Sequence, residues 1–256
     1  MKSIFYLFLL VSLISCGNNQ STSLILKQSN IFGGSKIKDD SVLRPFIVGI
    51  YDPNNKLICT GTLINDHSVL TAAHCVSHAK NKEINIVLDN KINSKNFIPA
   101  TNVIIHEDYI INEEVIKNDL AIVHFQEEVP NEFKAINIDL IDELSSQLET
   151  DVYIAGMGHN VIRPFKMGAG TLRESKLPGQ SINLENDIIT LDQSSETGVC
   201  QGDSGSGIFI KHNDQLVLIG VTSAVDVKEN KKSADCNRRS YFSSIRFFKN
   251  WIQKNI

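Results

Sequence analysis

From residue 31 onward, short apolar runs alternate with clusters of turn-forming residues every 8 to 12 positions, the rhythm of a protein built from short strands. Runs rich in Ile, Val, Leu and Phe at Phe46–Ile50, Ile84–Leu88, Leu120–Phe125, Val152–Ala155, Ile188–Leu191, Gly207–Ile210 and Leu216–Thr222 predict an all-β barrel or sandwich. Helical periodicity is confined to the C-terminus. There Ile245, Phe248, Ile252 and Ile256 fall on one face, with Lys249 and Gln253 off it, which predicts an amphipathic helix packed on the strands. No repeat of fixed period occurs, and the acidic, weakly patterned stretch Val129–Glu149 is the expected connection between two halves.

Composition narrows the class without naming it. The 256 residues are 42% hydrophobic and 21% charged with a net charge of -4, which excludes disorder and a collagen-like chain. The 25 Lys and Arg are scattered among 29 Asp and Glu with no basic stripe interleaved with aromatics, so no nucleic-acid partner is expected. Before residue 31 the pattern changes. Lys2 precedes an apolar run from Ile4 to Ile14, too short to span a bilayer and shaped like an export signal over residues 1–15. Its end, Leu13-Ile14-Ser15-Cys16, resembles a bacterial lipoprotein signal, which implies lipid on Cys16 and a membrane anchor. Residues 16–30, rich in Ser, Asn and Gln, read as a tether. The expected location is outside the cytoplasm, in a periplasm or at the cell surface.

Five cysteines fit that location: with Cys16 lipidated, Cys59, Cys75, Cys200 and Cys236 remain, an even number suited to two disulfides. Four cysteines allow three pairings, and their spacing does not choose among them. No C-x-x-C and no H-E-x-x-H is present, so no metal site is expected.

The chemistry-bearing residues gather in three places. In Cys200-Gln201-Gly202-Asp203-Ser204-Gly205 a serine sits between glycines, where the backbone can turn sharply and a substrate carbonyl can approach main-chain N–H groups. Leu70-Thr71-Ala72-Ala73-His74-Cys75 places a histidine just past a strand, and Asn118-Asp119-Leu120-Ala121-Ile122 opens an apolar strand with an aspartate. Each alone has a bland explanation: a glycine-rich turn, a structural histidine, a capping aspartate.

Together, in the order His, Asp, Ser, they resemble the chymotrypsin-like or trypsin-like serine proteases. Further matches run from 31 to 256: Ile31-Phe32-Gly33-Gly34, Cys59-Thr60-Gly61-Thr62-Leu63-Ile64, His106-x-x-Tyr109, Gly156-x-Gly158 and Trp251-Ile252. The resemblance implies a protease domain over 31–256 made of two six-stranded β-barrels with their boundary near 130–150 and a C-terminal helix. It pairs Cys59 with Cys75 and Cys200 with Cys236, each closure worth about 3 kcal/mol in the chain-entropy view. His74 and Asp119 would come from the first barrel and Ser204 from the second, with Ser204 as nucleophile, His74 as general base and acid, and Asp119 fixing the imidazole tautomer. The N–H groups of Gly202 and Ser204 would form the oxyanion hole. This mechanism requires no metal or organic cofactor. The other histidines, His67, His78, His106, His124, His159 and His212, are expected at the surface or in structural roles.

The same resemblance carries a pocket for the substrate side chain before the cut bond, P1. Gly198 stands six residues before the serine at the pocket floor, followed by Val199, so no carboxylate is present for Lys or Arg. Ser223 falls beside the aspartate, Val225 narrows the mouth and Ser240 takes the opposite wall, with an insert Asp226–Asp235 nearby. An elastase-like taste for small P1 side chains follows. Ser206 and Ala224 depart from the family pattern, where a glycine and an aromatic are usual. These departures keep two other readings in view: a tethered pseudoprotease that binds peptides, and a structural or adhesive lipoprotein on a protease scaffold. Hydrolysis of small esters by the same triad is a further enzymatic alternative.

In the family, a new N-terminus at an Ile-x-Gly-Gly site pairs its ammonium with the aspartate before the nucleophile. Here those groups are Ile31 and Asp203. Asn30 precedes the cut, so the expected activating protease is not trypsin-like. With the anchor at Cys16 and no disulfide joining the pieces, activation would also release the protease.

Overall fold

The computed structural model describes residues 31, 33–79, 83–92, 96–112, 116–158, 169–194, 197–226, 236 and 238–256. The export signal, Cys16, the tether 16–30, Phe32, His159 and residues 227–235 of the insert lie outside them. Among the described residues no helix is long and apolar enough to cross a membrane.

The described chain is mostly β. One sheet takes β2 (Ile47–Asp52), β3 (Leu57–Asn65), β4 (Ser68–Thr71), β5 (Asn85–Val87), β6 (Phe97–Pro99), β7 (Asn102–Ile105) and β10 (Ala121–His124) in the order β6-β5-β2-β3-β4-β10-β7. The other takes β1 (Ser35–Lys36), β11 (Gln147–Gly156), β12 (Arg173–Asn183), β13 (Ile188–Asp192), β14 (Gly207–His212), β15 (Gln215–Val225) and β16 (Arg239–Ser244) in the order β1-β12-β11-β14-β15-β16-β13. A separate hairpin joins β8 (Ile110–Ile111) to β9 (Ile116–Lys117), and the helix α1 (Ile245–Lys254) follows.

Both sheets curl into half-barrels, the arrangement expected of the chymotrypsin-like fold. Each contains seven strands where six were expected, for two local reasons. In the first sheet the chain bends at Ala100–Thr101, where Thr101 N–H bonds His124 O at 2.8 Å, so one extended segment becomes β6 and β7, the two edges of the curl. In the second, the two-residue β1 adds to the edge of β12. Across that sheet's seam Asp192 N–H donates to the Gln180 side chain at 3.0 Å.

Burial explains why several strands read as continuous apolar runs. In β10, Ala121 and Val123 face the first half's own core, with Val48, Ile50, Leu63 and Val69. Leu120 and Ile122 face the other way, into the core that contains Val152, Ile154, Ile208 and Phe209. Successive strand residues point to opposite faces, and here both faces are covered. Phe46 differs from expectation: Pro45 lacks an N–H and fixes its own φ, so Arg44–Phe46 forms a 3-10 turn and the strand starts at Ile47. The helix buries Ile245, Phe248, Trp251 and Ile252. Ile256, expected on that face, lies beyond the last turn and is 47% exposed.

Candidate active site

Asp119 is buried, 1% exposed, two residues ahead of β10. Its neighbour Asn118 has a φ of 50°, a left-handed conformation that Asn tolerates better than most residues, and its side chain donates to Asp108 O at 2.8 Å. The carboxylate turned inward by that kink is met by three donors. His74 N–H reaches Oδ1 at 2.9 Å, while His74 Nδ1 at 2.7 Å and Ser223 Oγ at 2.5 Å both reach Oδ2. Ser243 Oγ also donates to the Asp119 carbonyl at 3.2 Å. A buried carboxylate so surrounded needs no water to satisfy it. The bond at Nδ1 leaves Nε2 of a neutral imidazole as the acceptor, the tautomer a general base requires.

His74 itself sits on a 3-10 turn, Ala73–Cys75, immediately past β4. The Cys59–Cys75 disulfide ties this turn back to β3. Cys59, His74 and Cys75 are the one cluster of potential metal ligands among the described residues, and both cysteines are spent in that bond.

Ser204 lies on the loop between Val199 and β14, docked against the first half by a few polar contacts. Thr60 N–H donates to Ser204 O at 2.9 Å, and Thr71 Oγ1 donates to Thr60 O at 2.8 Å. Gly205, with φ +80°, packs so closely on Thr71 and Ala72 that a Cβ there would lie 3.0 Å from Ala72 N, two residues from His74. Only glycine fits this approach. Around the serine, Asp203 N–H bonds Cys200 O, Gly205 N–H bonds Thr222 O and Ser206 N–H bonds Asp203 O. The N–H groups of Gly202, whose φ is 93°, and of Ser204 have no acceptor among the described residues. Nor, among those residues, does a hydrogen bond join Ser204 Oγ to the imidazole, whose Nε2 lies 3.8 Å from Cys75 Sγ.

Asp203 points away from the serine into the second half and is fully buried. Its oxygens accept N–H bonds from Gly158 at 2.8 Å and Cys200 at 2.9 Å, and a Cβ on Gly158 would lie 2.6 Å from Oδ1. Burial pushes its acidity constant up to about 7 against the pull of the two N–H groups, with no cation facing it among the described residues. Ile31 is buried in the core of the same half, and its φ of 37° is one that a β-branched residue seldom adopts.

The remaining sequence-derived positions meet beside Ser204. Thr222 N–H donates to Ser206 O at 2.8 Å, which joins the strand carrying Ser223, Ala224 and Val225 to the loop of Ser204. Ser240 on β16 pairs with Val225 on one side and Leu191 on the other. Gly198, Val199 and Ser240 are all buried, Val225 is half-buried, and the Cys200–Cys236 disulfide braces the group. Ser206 fills the room of the missing glycine with a bond to Thr222 Oγ1 at 2.7 Å. Of the other histidines, His106 stacks on Trp251 and His124 Nδ1 pairs with Ser68 Oγ.

Three contributors escaped sequence reasoning. Thr60 also accepts Met157 N–H at 2.9 Å, Ser243 supports Asp119, and Gln193 is fully buried against Val199. Nothing local marks any of them, because each acts through a partner at least six and as many as 124 residues away.

The trypsin family model matches residues 31–252. Among curated proteins the chain is 28% identical to a trypsin of Saccharopolyspora erythraea, over 70% of this chain and 80% of that one. It is 27% identical to granzyme B(G,H) of Mus musculus, over 90% of this chain and 92% of that one. To the urokinase-type plasminogen activator of Gallus gallus it is 23% identical over 90% of its own length, and it spans 58% of that larger protein. With the family match covering both half-barrels, this chain belongs to the trypsin family of serine-type endopeptidases.

Proposed function

We propose that this chain cleaves peptide bonds in protein substrates through Ser204, His74 and Asp119, with a preference for small uncharged P1 side chains. The observation that carries the reading is the 2.7 Å contact of His74 Nδ1 with the buried Asp119 Oδ2, on the turn against which the Ser204 loop docks. In the reaction His74 Nε2 takes the Ser204 proton as Oγ attacks the scissile carbonyl carbon. The resulting oxyanion faces the free N–H groups of Gly202 and Ser204, a contribution of about 3 kcal/mol per donor. His74 then gives its proton to the leaving amine, and a water activated by the same imidazole hydrolyses the acyl-enzyme and restores Ser204. Asp119 stays ionised and orients the ring throughout.

The small-P1 preference rests on Gly198, Val199, Ser223, Val225 and Ser240, a set without a carboxylate. The reading extends to a precursor with signal 1–15 and tether 16–30, exported and held by lipid on Cys16. Its protease part, 31–256, is activated by a cut after Asn30 that also frees it from the membrane. Ile31 and Asp203 support this step, one buried at a strained φ and the other a buried carboxyl awaiting a cation.

A fluorophosphonate probe on protein beginning at Ile31 tests the enzyme reading, because it needs both an activated serine and a formed oxyanion hole. Labelling at Ser204, abolished in Ser204→Ala, is expected. A folded, unlabelled protein with Ile31 free would replace this reading with a peptide-binding pseudoprotease. Recovery of the Ile31 form as an integral membrane lipoprotein would overturn release.

A further inference from the structure

Gln193 follows directly on β13 and is fully buried. Its backbone N–H bonds Arg238 O at 2.7 Å, and its carboxamide is used up entirely by main chain. Oε1 accepts Val199 N–H at 3.0 Å, while Nε2 donates to Val199 O at 3.0 Å and to Cys236 O. The side chain thus imitates the edge of a strand for Val199 and bridges it to the disulfide partner of Cys200. It also occupies the space in front of Gly198. A Cβ on Gly198 would lie 2.6 Å from Gln193 Cβ and closer still to the carboxamide.

A second feature adjoins this one. Ser240 is fully buried, and its Oγ has no hydrogen-bond partner, unlike any other buried side-chain oxygen or nitrogen of β13, β15 and β16. Both polar side-chain atoms of Gln193 are satisfied, whereas the neighbouring wall keeps a hydroxyl in reserve. Such a site suits a short, uncharged occupant and penalises an ammonium or guanidinium, which would find no counter-charge.

We propose that Gln193 is the positioning residue that sets the depth and neutrality of the P1 pocket: its clamped carboxamide plugs the floor, and Gly198 is glycine because that plug fills its side-chain space. This rests on the peptidase reading above and deepens it. The absence of a carboxylate at 198 is then a consequence of packing. A single Gly198→Asp change would not create a site for Lys or Arg, since the carboxylate would have to displace the carboxamide.

The test uses the protein beginning at Ile31 and peptide anilides that differ only in P1, as Ala, Leu or Lys. In Gln193→Ala the ratio of kcat/KM for Leu over Ala is expected to rise about tenfold, carried by KM, as a pocket enlarged by more than one methylene allows. Gln193→Asn, which keeps the amide on a shorter stem, should shift the ratio in the same direction by less. Gly198→Ala should lose activity on every substrate, and Gln193→Ala/Gly198→Ala should regain much of it. A purely structural glutamine would lower the melting temperature and leave the P1 ratio alone. That result in whichever glutamine variant folds with both disulfides intact, or a fully active Gly198→Ala, overturns the proposal. Wild-type protein that cleaves none of the anilides, or cleaves the Lys substrate best, would instead defeat the underlying reading of the site.

Discussion

Within the site, each polar side chain is valued by how many buried groups depend on it. Asp119 serves two bonds to His74 and one to Ser223. Asp119→Asn would place an amide N–H or a weaker acceptor opposite Nδ1 and disfavour the useful tautomer, so kcat should fall by about 10⁴ with the fold intact. Steady-state kinetics alongside a melting curve would separate the two effects. Thr60 has the opposite profile. Its hydroxyl accepts the buried Met157 N–H, so Thr60→Val should cost about 1–3 kcal/mol of stability, read from urea denaturation. His74, Asp119 and Ser204 were singled out by the family resemblance that their three motifs carry in order, since each motif alone reads equally as a structural histidine, a capping aspartate or a glycine-rich turn. Gln193 and Thr60 were not, since Gln and Thr are ordinary residues anywhere and their meaning arises only where β3, β11 and the 198–205 loop come together.

For the elements, each of the seven apolar runs overlaps an observed strand, whereas β3, β4, β12 and β16 were not among them, and the differences have physical causes. Pro45 converted the start of one predicted strand into a turn, while β11 extends past its apolar run, pairing with β12 where side chains are exposed. The helix was found from its period, but Trp251 was read there only as a family landmark. It stacks on His106 at 4.9 Å and donates from Nε1 to Glu107 at 2.7 Å, so it anchors α1 to the 106–109 turn ahead of Asp119. Trp251→Ala should therefore destabilise by about 3–5 kcal/mol. Because β10 begins close to that turn, some activity should be lost as well. Ser244 caps the same helix by accepting Phe247 N–H at 3.4 Å, and its replacement by Ala should cost only about 1 kcal/mol. Thermal unfolding of the two variants side by side checks that order.

Across the whole molecule, the unusual feature is the fully buried carboxyl of Asp203, directly before Ser204. Asp203 titrates near 7 in the folded chain, well above an exposed aspartate, because burial disfavours its charge. The folded state therefore holds a proton that the unfolded state has released between about pH 4 and pH 7. Stability from this source is complete below the unfolded value and is lost as pH rises through about 7, a difference on the order of 4 kcal/mol. In the uncut chain the Ile31 nitrogen is an amide and can offer no charge in return. After a cut at Asn30–Ile31 the same nitrogen is an ammonium up to about pH 8, and a carboxylate paired with it no longer resists ionisation. Chemical denaturation at pH 5 and pH 8 should thus show the uncut form losing several kcal/mol that the cut form retains. The side chains that the cut removes include no carboxylate or histidine, so the difference between the two forms in the carboxylate-to-neutral range reports on this pair. Equal pH dependence would mean that the new terminus does not reach Asp203. Cleavage would then act only by removing the first thirty residues, leaving the loop that carries Ser204 unchanged.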